Sequence, residues 1–402
     1  MATKAGVGIS YHRNPTIAGR QAAEQGLRNA GISPTTKPDF VFMFATVGYE
    51  QRSLLHAVRQ ATADAPLSGC SAEGTIDGDS TDESNFSVLV TVISSEELEW
   101  RNGLETGLET DPQAVGQRVT QELLTHLSPD VIGLFVFPDG RTDNLDKFFA
   151  GLEGNLPSDR FLPLWGGGAS NNLAWGERTY QYCDDEVISD GVSYALLSGE
   201  VQASWAMSHS VIPIGGERIV TRSRGNVIYE IDGKPAVEVL KEYLPEHALT
   251  DERDWMRYSV SLALCFRAPS YMKDEEYIAR GMPAVRMADG SIIVQGKEVP
   301  EGTSIWFSSR DKEKVTTGFD RMAKQIKEQL EGEKPKLVFQ FECATRGKMM
   351  LREQEKLQFL KELRQSVDPD VPWTGFYCWG EIGPVEEHND RHLYTSVVLA
   401  LS

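Results

Sequence analysis

The chain is poor in cysteine, in basic charge and in long apolar runs, and each shortage excludes something. Its five cysteines, Cys70, Cys183, Cys265, Cys343 and Cys378, lie far apart and form no C-x-x-C pair. An odd, scattered set argues against a disulfide framework and against a zinc knuckle. Lys and Arg number 40 against 59 Asp and Glu, a formal charge of −19. Such a charge repels nucleic acid and anionic membrane surfaces, so neither is expected as a partner. The longest apolar runs, such as Val131–Phe137 and Val397–Leu401, fall well short of the ~20 residues that span a bilayer. Met1-Ala2-Thr3-Lys4-Ala5-Gly6 has no apolar core of a secretory signal. The expectation is a cytoplasmic, soluble protein.

Catalytic and metal motifs are missing too. Gly69-Cys70-Ser71 places a thiol on a tight turn, but the pattern is not G-x-S-x-G and no histidine follows at a motif distance. A small buried thiol packing the turn is the other reading of Cys70. Gly69-x4-Gly74-Thr75 lacks the lysine of a phosphate loop, and Gly166-Gly167-Gly168 opens no helix as a dinucleotide fingerprint must. No H-x-x-x-H or carboxylate cluster supports a metal site, and the absence of C-x-x-C-H excludes covalent haem. His12, His56, His126, His209 and His247 stand without clustered partners and read as surface residues. With no catalytic constellation, the chain is not expected to be an enzyme.

What is present is one phrase stated three times. Lys37-Pro38-Asp39-Phe40-Val41-Phe42-Met43-Phe44, Ser128-Pro129-Asp130-Val131-Ile132-Gly133-Leu134-Phe135 and Lys334-Pro335-Lys336-Leu337-Val338-Phe339-Gln340-Phe341 each open an apolar strand after a proline. A helical stretch follows each, then Pro66-Leu67-Ser68-Gly69, Pro163-Leu164-Trp165-Gly166 or Pro372-Trp373-Thr374-Gly375. Gly69 and Gly74 superpose on Gly375 and Gly380, with Asn171 in the second glycine's place in the middle copy, a residue that tolerates positive φ. One α/β unit with reused glycine turns is implied, and strand-end turns in α/β sheets are where ligands bind.

At 402 residues the chain suits two to three domains of about 150 residues. Periodicity predicts helices at Ile17–Ala30, Arg52–Ala61, Asp111–Leu127, Leu145–Leu152, Ala236–Tyr243 and Val315–Leu330. Strands are expected at Asn85–Ile93, Val131–Phe137, Val227–Ile231, Val260–Phe266, Thr303–Phe307 and Leu393–Leu401, with Arg178–Tyr182 and Val192–Leu197 as a hairpin-like pair. Asp289-Gly290 is a strong hairpin signal. The turn Gly225-Asn226 suggests a boundary, giving lobes 1–226 and 227–402. The fold expected is α/β: two lobes with mixed sheets, built from repeated strand-helix-strand units with Gly-rich turns.

These residues resemble the FIST family, a two-part sensory domain of signalling proteins. The matches are Gly69-Cys70-Ser71-Ala72-Glu73-Gly74, Pro163-Leu164-Trp165-Gly166-Gly167-Gly168-Ala169, Asp190-Gly191-Val192 and Thr221-Arg222-Ser223-Arg224-Gly225-Asn226 in the first part. In the second they are Ile231-Asp232-Gly233-Lys234-Pro235-Ala236, Phe341-Glu342-Cys343-Ala344-Thr345-Arg346, Gly380-Glu381-Ile382-Gly383-Pro384 and Leu393-Tyr394-Thr395-Ser396. No single motif is specific; their order over some 350 residues is. The resemblance implies a small-molecule sensor in signal transduction, with amino acids the ligands usually proposed. Some members resemble haem-binding nitric-oxide sensors that act with histidine kinases. No kinase, cyclase or methyl-accepting segment is fused within these residues, so the resemblance implies output to a separate signalling partner.

A site of Gly69, Cys70, Ser71, Gly167, Gly168, Asn171, Cys343, Arg346, Glu381 and His392 is therefore expected between the glycine turns. The Arg346 guanidinium would take a carboxylate and Glu381 an ammonium, together an amino-acid zwitterion; alternatively the two pair with each other or cap a turn. For the haem alternative, His392 or the nearby His388 would supply the iron ligand. An interaction scaffold without a ligand is the plainest remaining reading.

Overall fold

The computed structural model describes all residues except 1–2, 79, 158–159, 173–177, 246–247, 252–253, 256–257, 271, 274 and 297; His247 thus lies outside the described residues. The threefold phrase belongs to a unit of eight elements. Unit 1 runs β1 (Lys4–Ser10), α1 (Pro15–Asn29), β2 (Phe40–Ala45), α2 (Gln51–Ala61), β3 (Leu67–Ser71), β4 (Gly74–Ile76), β5 (Thr81–Asp82) and β6 (Val88–Ser94). Unit 2 repeats the order: β7 (Leu98–Thr106), α3 (Pro112–Leu123), β8 (Val131–Pro138), α4 (Leu145–Glu153), β9 (Leu164–Gly167), β10 (Gln181–Cys183), β11 (Glu186–Ile188) and β12 (Gly191–Gly199). Unit 3 starts with β13 (Ala203–His209) and is then interrupted. The insert holds β14 (Val211–Arg224), β15 (Val227–Ile231), β16 (Lys234–Pro235), α5 (Ala236–Lys241), β17 (Leu262–Arg267), β18 (Tyr277–Arg280), β19 (Ala284–Arg286), β20 (Ser291–Ile293) and β21 (Ser304–Arg310). Unit 3 resumes with α6 (Lys312–Leu330), β22 (Leu337–Cys343), α7 (Glu353–Val367), β23 (Trp373–Cys378), β24 (Glu381–Val385), β25 (His388–His392) and β26 (Thr395–Leu401).

Each unit builds a six-stranded mixed sheet, and each sheet borrows its last hairpin. The orders are β1-β6-β2-β3-β10-β11, β7-β12-β8-β9-β24-β25 and β13-β26-β22-β23-β4-β5. Unit 1 thus lends its hairpin to unit 3, unit 2 to unit 1, and unit 3 to unit 2, which closes a ring. The split expected at residue 226 falls in the turn between β14 and β15, and the segments on either side interlock through these exchanges. The expected α/β class with mixed sheets is what forms. The strand Val192–Leu197, expected to pair with Arg178–Tyr182, pairs instead with β7 and β8, while Gln181–Cys183 pairs with β11 and β3.

β2 and β8 are apolar at every position because both their faces are covered. Phe40, Phe42 and Phe44 of β2 turn inward, while Val41, Met43 and Ala45 face α1 and α2. At the centre Phe42, Phe135 and Phe339, one from each unit, lie 5.1, 5.2 and 4.7 Å apart by ring centroid. Phe135 therefore stands where Phe42 does, two residues beyond the register that the shared proline suggests.

The repeated glycine has a reason other than a turn. Gly69, Gly166 and Gly375 lie within strands, opposite Met43, Val136 and Gln340 of the parallel partners. A Cβ on each would meet that partner's carbonyl oxygen at 1.9, 2.0 and 2.1 Å. Close approach, not chain reversal, is what demands glycine here. Nor is Asn171 the left-handed residue of the middle copy; that is its neighbour Asn172, at φ 55°.

Outer faces are covered by α1 with α2, α3 with α4, and α6 with α7. Helix side chains also protect the open sheet edges. Gln329 bonds both the N–H and the C=O of Trp205 on β13, each at 2.9 Å. On β1, Gln25 accepts from the Ile9 N–H at 3.0 Å and Asn29 donates to the Val7 carbonyl at 2.7 Å.

The insert forms a separate sheet, β18-β17-β21-β14-β15-β20-β19 with β16 beside β15, over its own core. The Asp289-Gly290 hairpin joins β19 to β20 as expected. His209, expected at the surface, is buried at 2% exposure. It contacts Glu275 of the insert at 2.7 Å, and Lys314 of α6 approaches the same carboxylate at 3.3 Å. Burial alone would raise the Glu275 carboxyl, but His209, Lys314 and Arg321 hold it at about 2. No described helix is long and apolar enough to cross a membrane.

Gly166→Ala is expected to cost about 3 kcal/mol or more, since the methyl collides with backbone. Gly216→Ala, where an added Cβ meets nothing within 4 Å, is expected to change stability by no more than about 0.5 kcal/mol. Urea midpoints compare the two; equal values would refute the close-approach account.

Candidate functional site

The carboxyl ends of the parallel pairs β8/β9 and β22/β23 open into one cavity of about 410 Å³, roofed by the insert. Three loops from units 2 and 3 make its floor. The Gly168 N–H donates to the Gly380 carbonyl at 2.9 Å, and the Trp379 N–H donates back to the Gly168 carbonyl at 3.0 Å. Gly140 packs into the same junction, where an added Cβ would stand 2.4 Å from the Ala169 oxygen.

Arg391, fully enclosed at the end of β25, clamps these loops. Its guanidinium donates to the carbonyls of Thr142 at 2.9 Å, Gly140 at 3.0 Å and Trp379 at 3.0 Å. Burial lowers its proton affinity, while Asp146, Glu381 and Asp143 act against that. Arg280 of the insert donates to the Arg391 carbonyl at 3.0 Å and meets Asp390 at 3.4 Å, seating the roof on the floor. The Tyr394 hydroxyl adds a bond to the Ser259 carbonyl at 3.1 Å.

The cavity wall is largely apolar, with Met282, Leu393, Tyr394 and Trp379 prominent. Charge enters from one loop. Arg141 and Asp143 both line the space, and Asp139 holds the Arg141 guanidinium through contacts of 3.2 Å to Nε and 2.8 Å to Nη2. The hydrogen bond from Arg141 to Asp139 raises the arginine's pKa, so it stays cationic.

Of the residues expected from sequence, Asn171 and Cys343 line this cavity. Gly168 lies in its floor as described, and Gly167 gives room to Cys378, whose Sγ would be 2.6 Å from a Cβ there. Gly69 serves the close approach within β3. Cys70 is fully buried in the central core, and burial pushes its thiol well above the ordinary range, which favours the packing reading over the nucleophile. The Ser71 hydroxyl donates to the Ser170 carbonyl at 2.7 Å and accepts from the Tyr180 N–H at 2.9 Å, linking units 1 and 2.

Arg346 and Glu381 do not face one ligand. Arg346 is buried on the helix-covered side of its sheet, where it pairs with Glu342, donates to the Ser208 carbonyl at 3.2 Å and lies over the Phe319 ring. Residues 342 and 343 of a strand point to opposite faces, so Cys343 looks into the cavity while Glu342 looks away. Glu381 lies beneath the cavity, fully buried, accepting from the Thr395 N–H at 3.1 Å and from the Cys378 thiol at 3.5 Å. Burial pushes its carboxyl up to about 8.

The haem residues do not fit. The His392 Nε2 sits 2.8 Å from the Gly383 carbonyl inside the β24–β25 hairpin, and His392 is 4% exposed and is not among the residues lining the cavity. His388 is exposed at the start of β25. Among the described residues, no group of three or more His, Cys, Asp or Glu side chains could hold a metal ion.

Sequence reading missed Arg141, Asp143 and Arg391. All three lie outside the glycine turns, and only the run Asp390-Arg391-His392, charged residues heading into an apolar strand, hinted at buried charge.

Glu381→Gln tests the buried carboxyl. Below pH 4.5 the group is protonated whether folded or not; as pH rises toward 8 only the folded chain retains the proton, and that stabilisation is lost. The Tm of Glu381→Gln relative to the parent is expected to climb by roughly 1–2 °C per pH unit between pH 5 and 8. A pH-independent difference would contradict this.

Comparison with known proteins places the chain. The FIST N domain matches residues 39–234 and the FIST C domain residues 236–384. An uncharacterized protein of Mycobacterium tuberculosis is 26% identical over 345 residues, 85% of each chain. An uncharacterized protein of Methanocaldococcus jannaschii is 24% identical over 254 residues, 58% of this chain and 45% of its own. Among solved structures, a cyanuric acid hydrolase from A. caulinodans aligns over 100% of this chain and 99% of its own, with 10% identity and a TM-score of 0.37. A chorismatase aligns over the same shares with 9% identity and a TM-score of 0.35. Likeness at those scores carries no inference about activity. FIST domains are small-ligand sensory domains of signal transduction, and this chain, matched over most of its length, belongs to the FIST family.

Proposed function

We propose that the chain is a sensory protein that binds a free amino acid in the cavity between units 2 and 3 and the insert. The observation that carries this reading is that Arg141 and Asp143 lie together on the wall of a space whose remaining lining is largely apolar. A carboxylate beside the guanidinium and an ammonium beside the carboxylate match an amino acid's polar end. Met282, Leu393 and Trp379 would enclose its side chain. The volume lies within the range of about 300–1,000 Å³ usual for small-ligand sites. The zwitterion chemistry expected from sequence is thereby assigned to a different pair of residues.

Signalling follows from where the cavity lies. Its walls come from the ring and from the insert, which meet through Arg280, Arg391 and Tyr394. A ligand that touches both favours the arrangement in which they are drawn together. The changed outer surface is then read by a separate signalling protein.

Thermal-shift screening with the common amino acids tests the reading. At a hundredfold excess over Kd, binding adds about 2.7 kcal/mol, a rise of about 3 °C in Tm for a chain of this size. Arg141→Gln is expected to weaken binding roughly 10- to 150-fold, the worth of a charge-assisted hydrogen bond. A screen without any shift, or calorimetric affinity unchanged in Arg141→Gln, would overturn it.

A further inference from the structure

Cys343 and Cys378 are direct partners in the parallel ladder of β22 and β23. Adjacent strands stand about 4.8 Å apart, inside the Cα separation of about 4.4–6.8 Å that a disulfide requires. Paired residues of a parallel ladder point to the same face, here the inner face carrying Phe341 and Phe376. Both cysteines line the cavity; the Cys378 thiol donates to the Glu381 carboxylate at 3.5 Å, and the charge of the same carboxylate bears on Cys343. The Cys343 sulfur contacts the Thr345 hydroxyl at 3.1 Å. Gly167 keeps clear the space around Cys378. Two thiols, a shared proton acceptor and a route in from solvent are thus assembled in one place.

We propose that Cys343 and Cys378 form a reversible dithiol–disulfide site at the cavity floor, oxidised by small hydroperoxides. The Cys343 thiol passes its proton to Glu381, and its sulfur attacks the outer oxygen of the peroxide. An S–O bond forms, the O–O bond breaks, and the departing oxygen recovers the proton from Glu381. Cys378 sulfur then attacks the Cys343 sulfenic acid: an S–S bond forms, the S–O bond breaks, and hydroxide leaves as water with the Cys378 proton. Two thiols and one hydrogen peroxide give one disulfide and two waters; the sulfurs lose the two electrons that the peroxide gains. Burial pushes the Cys343 thiol up to about 12, so the first step depends on Glu381 and quickens as pH rises through 8. The site does not depend on the amino-acid reading.

The whole chain is treated with hydrogen peroxide at pH 8.5, denatured, alkylated and mapped by mass spectrometry without reduction. The expected result is a fall in alkylated cysteines from five to three and a cross-linked peptide pair carrying Cys343 and Cys378, two hydrogens lighter and restored by dithiothreitol. Cys343→Ser and Cys378→Ser should each abolish the cross-link. Five alkylated cysteines after oxidation, or a cross-link through Cys70, would overturn the proposal; the parent chain alone decides it if a variant fails to fold.

Discussion

Three phenylalanines that must meet at one point govern this molecule. Phe42, Phe135 and Phe339 can touch only if three strands present their inner faces to a common centre. Those strands are then buried on both sides, which requires a helix pair outside each. Glycine at 69, 166 and 375 lets each strand approach its parallel partner. Exchange of the hairpins follows from the same geometry: a parallel strand ending a sheet would leave its N–H and C=O groups bare, and the neighbouring unit's hairpin covers them.

The binding chemistry arises where the three units stop being alike. The strand-end bond itself is shared: the Ala72 N–H donates to the Ala45 carbonyl in unit 1, and the Ala169 N–H to the Pro138 carbonyl in unit 2. What sets units 2 and 3 apart is Arg391, which ties the carbonyls of Thr142, Gly140 and Trp379 together beneath the opening. A buried guanidinium is costly unless its donors are used; three carbonyls take Nη donors of Arg391, while its Nε has no hydrogen-bond partner among the described residues. The insert, placed between β13 and α6, reaches back over this opening and gives it a roof.

Much of the fold could be read from the sequence because its demands are local. Continuous apolar runs announce strands buried on both faces; the repeated glycine is equally visible, but a sequence does not distinguish a turn from close approach to a partner carbonyl. Unit 2 was shifted by two residues because its proline sits farther from the strand. Cys343 and Asn171 were legible as strand-end residues. Arg346 was misassigned because strand alternation sends 342 and 343 to opposite sides, and nothing in the sequence says which side holds the opening. Arg141, Asp143 and Arg391 meet only through contacts between units, which no local pattern records; burial of His209 depends likewise on Glu275 and α6.

Hairpin exchange also sets the order in which the chain can finish folding. Gly167 of β9 pairs with Glu381 of β24, more than 200 residues later. At a synthesis rate of roughly 5–20 residues per second, the sheet of unit 2 waits some 10–40 s on the ribosome for its last hairpin. During that interval an apolar parallel strand edge is exposed on the nascent chain. However stable the finished ring, its second sheet stays incomplete until nearly the whole chain has been made.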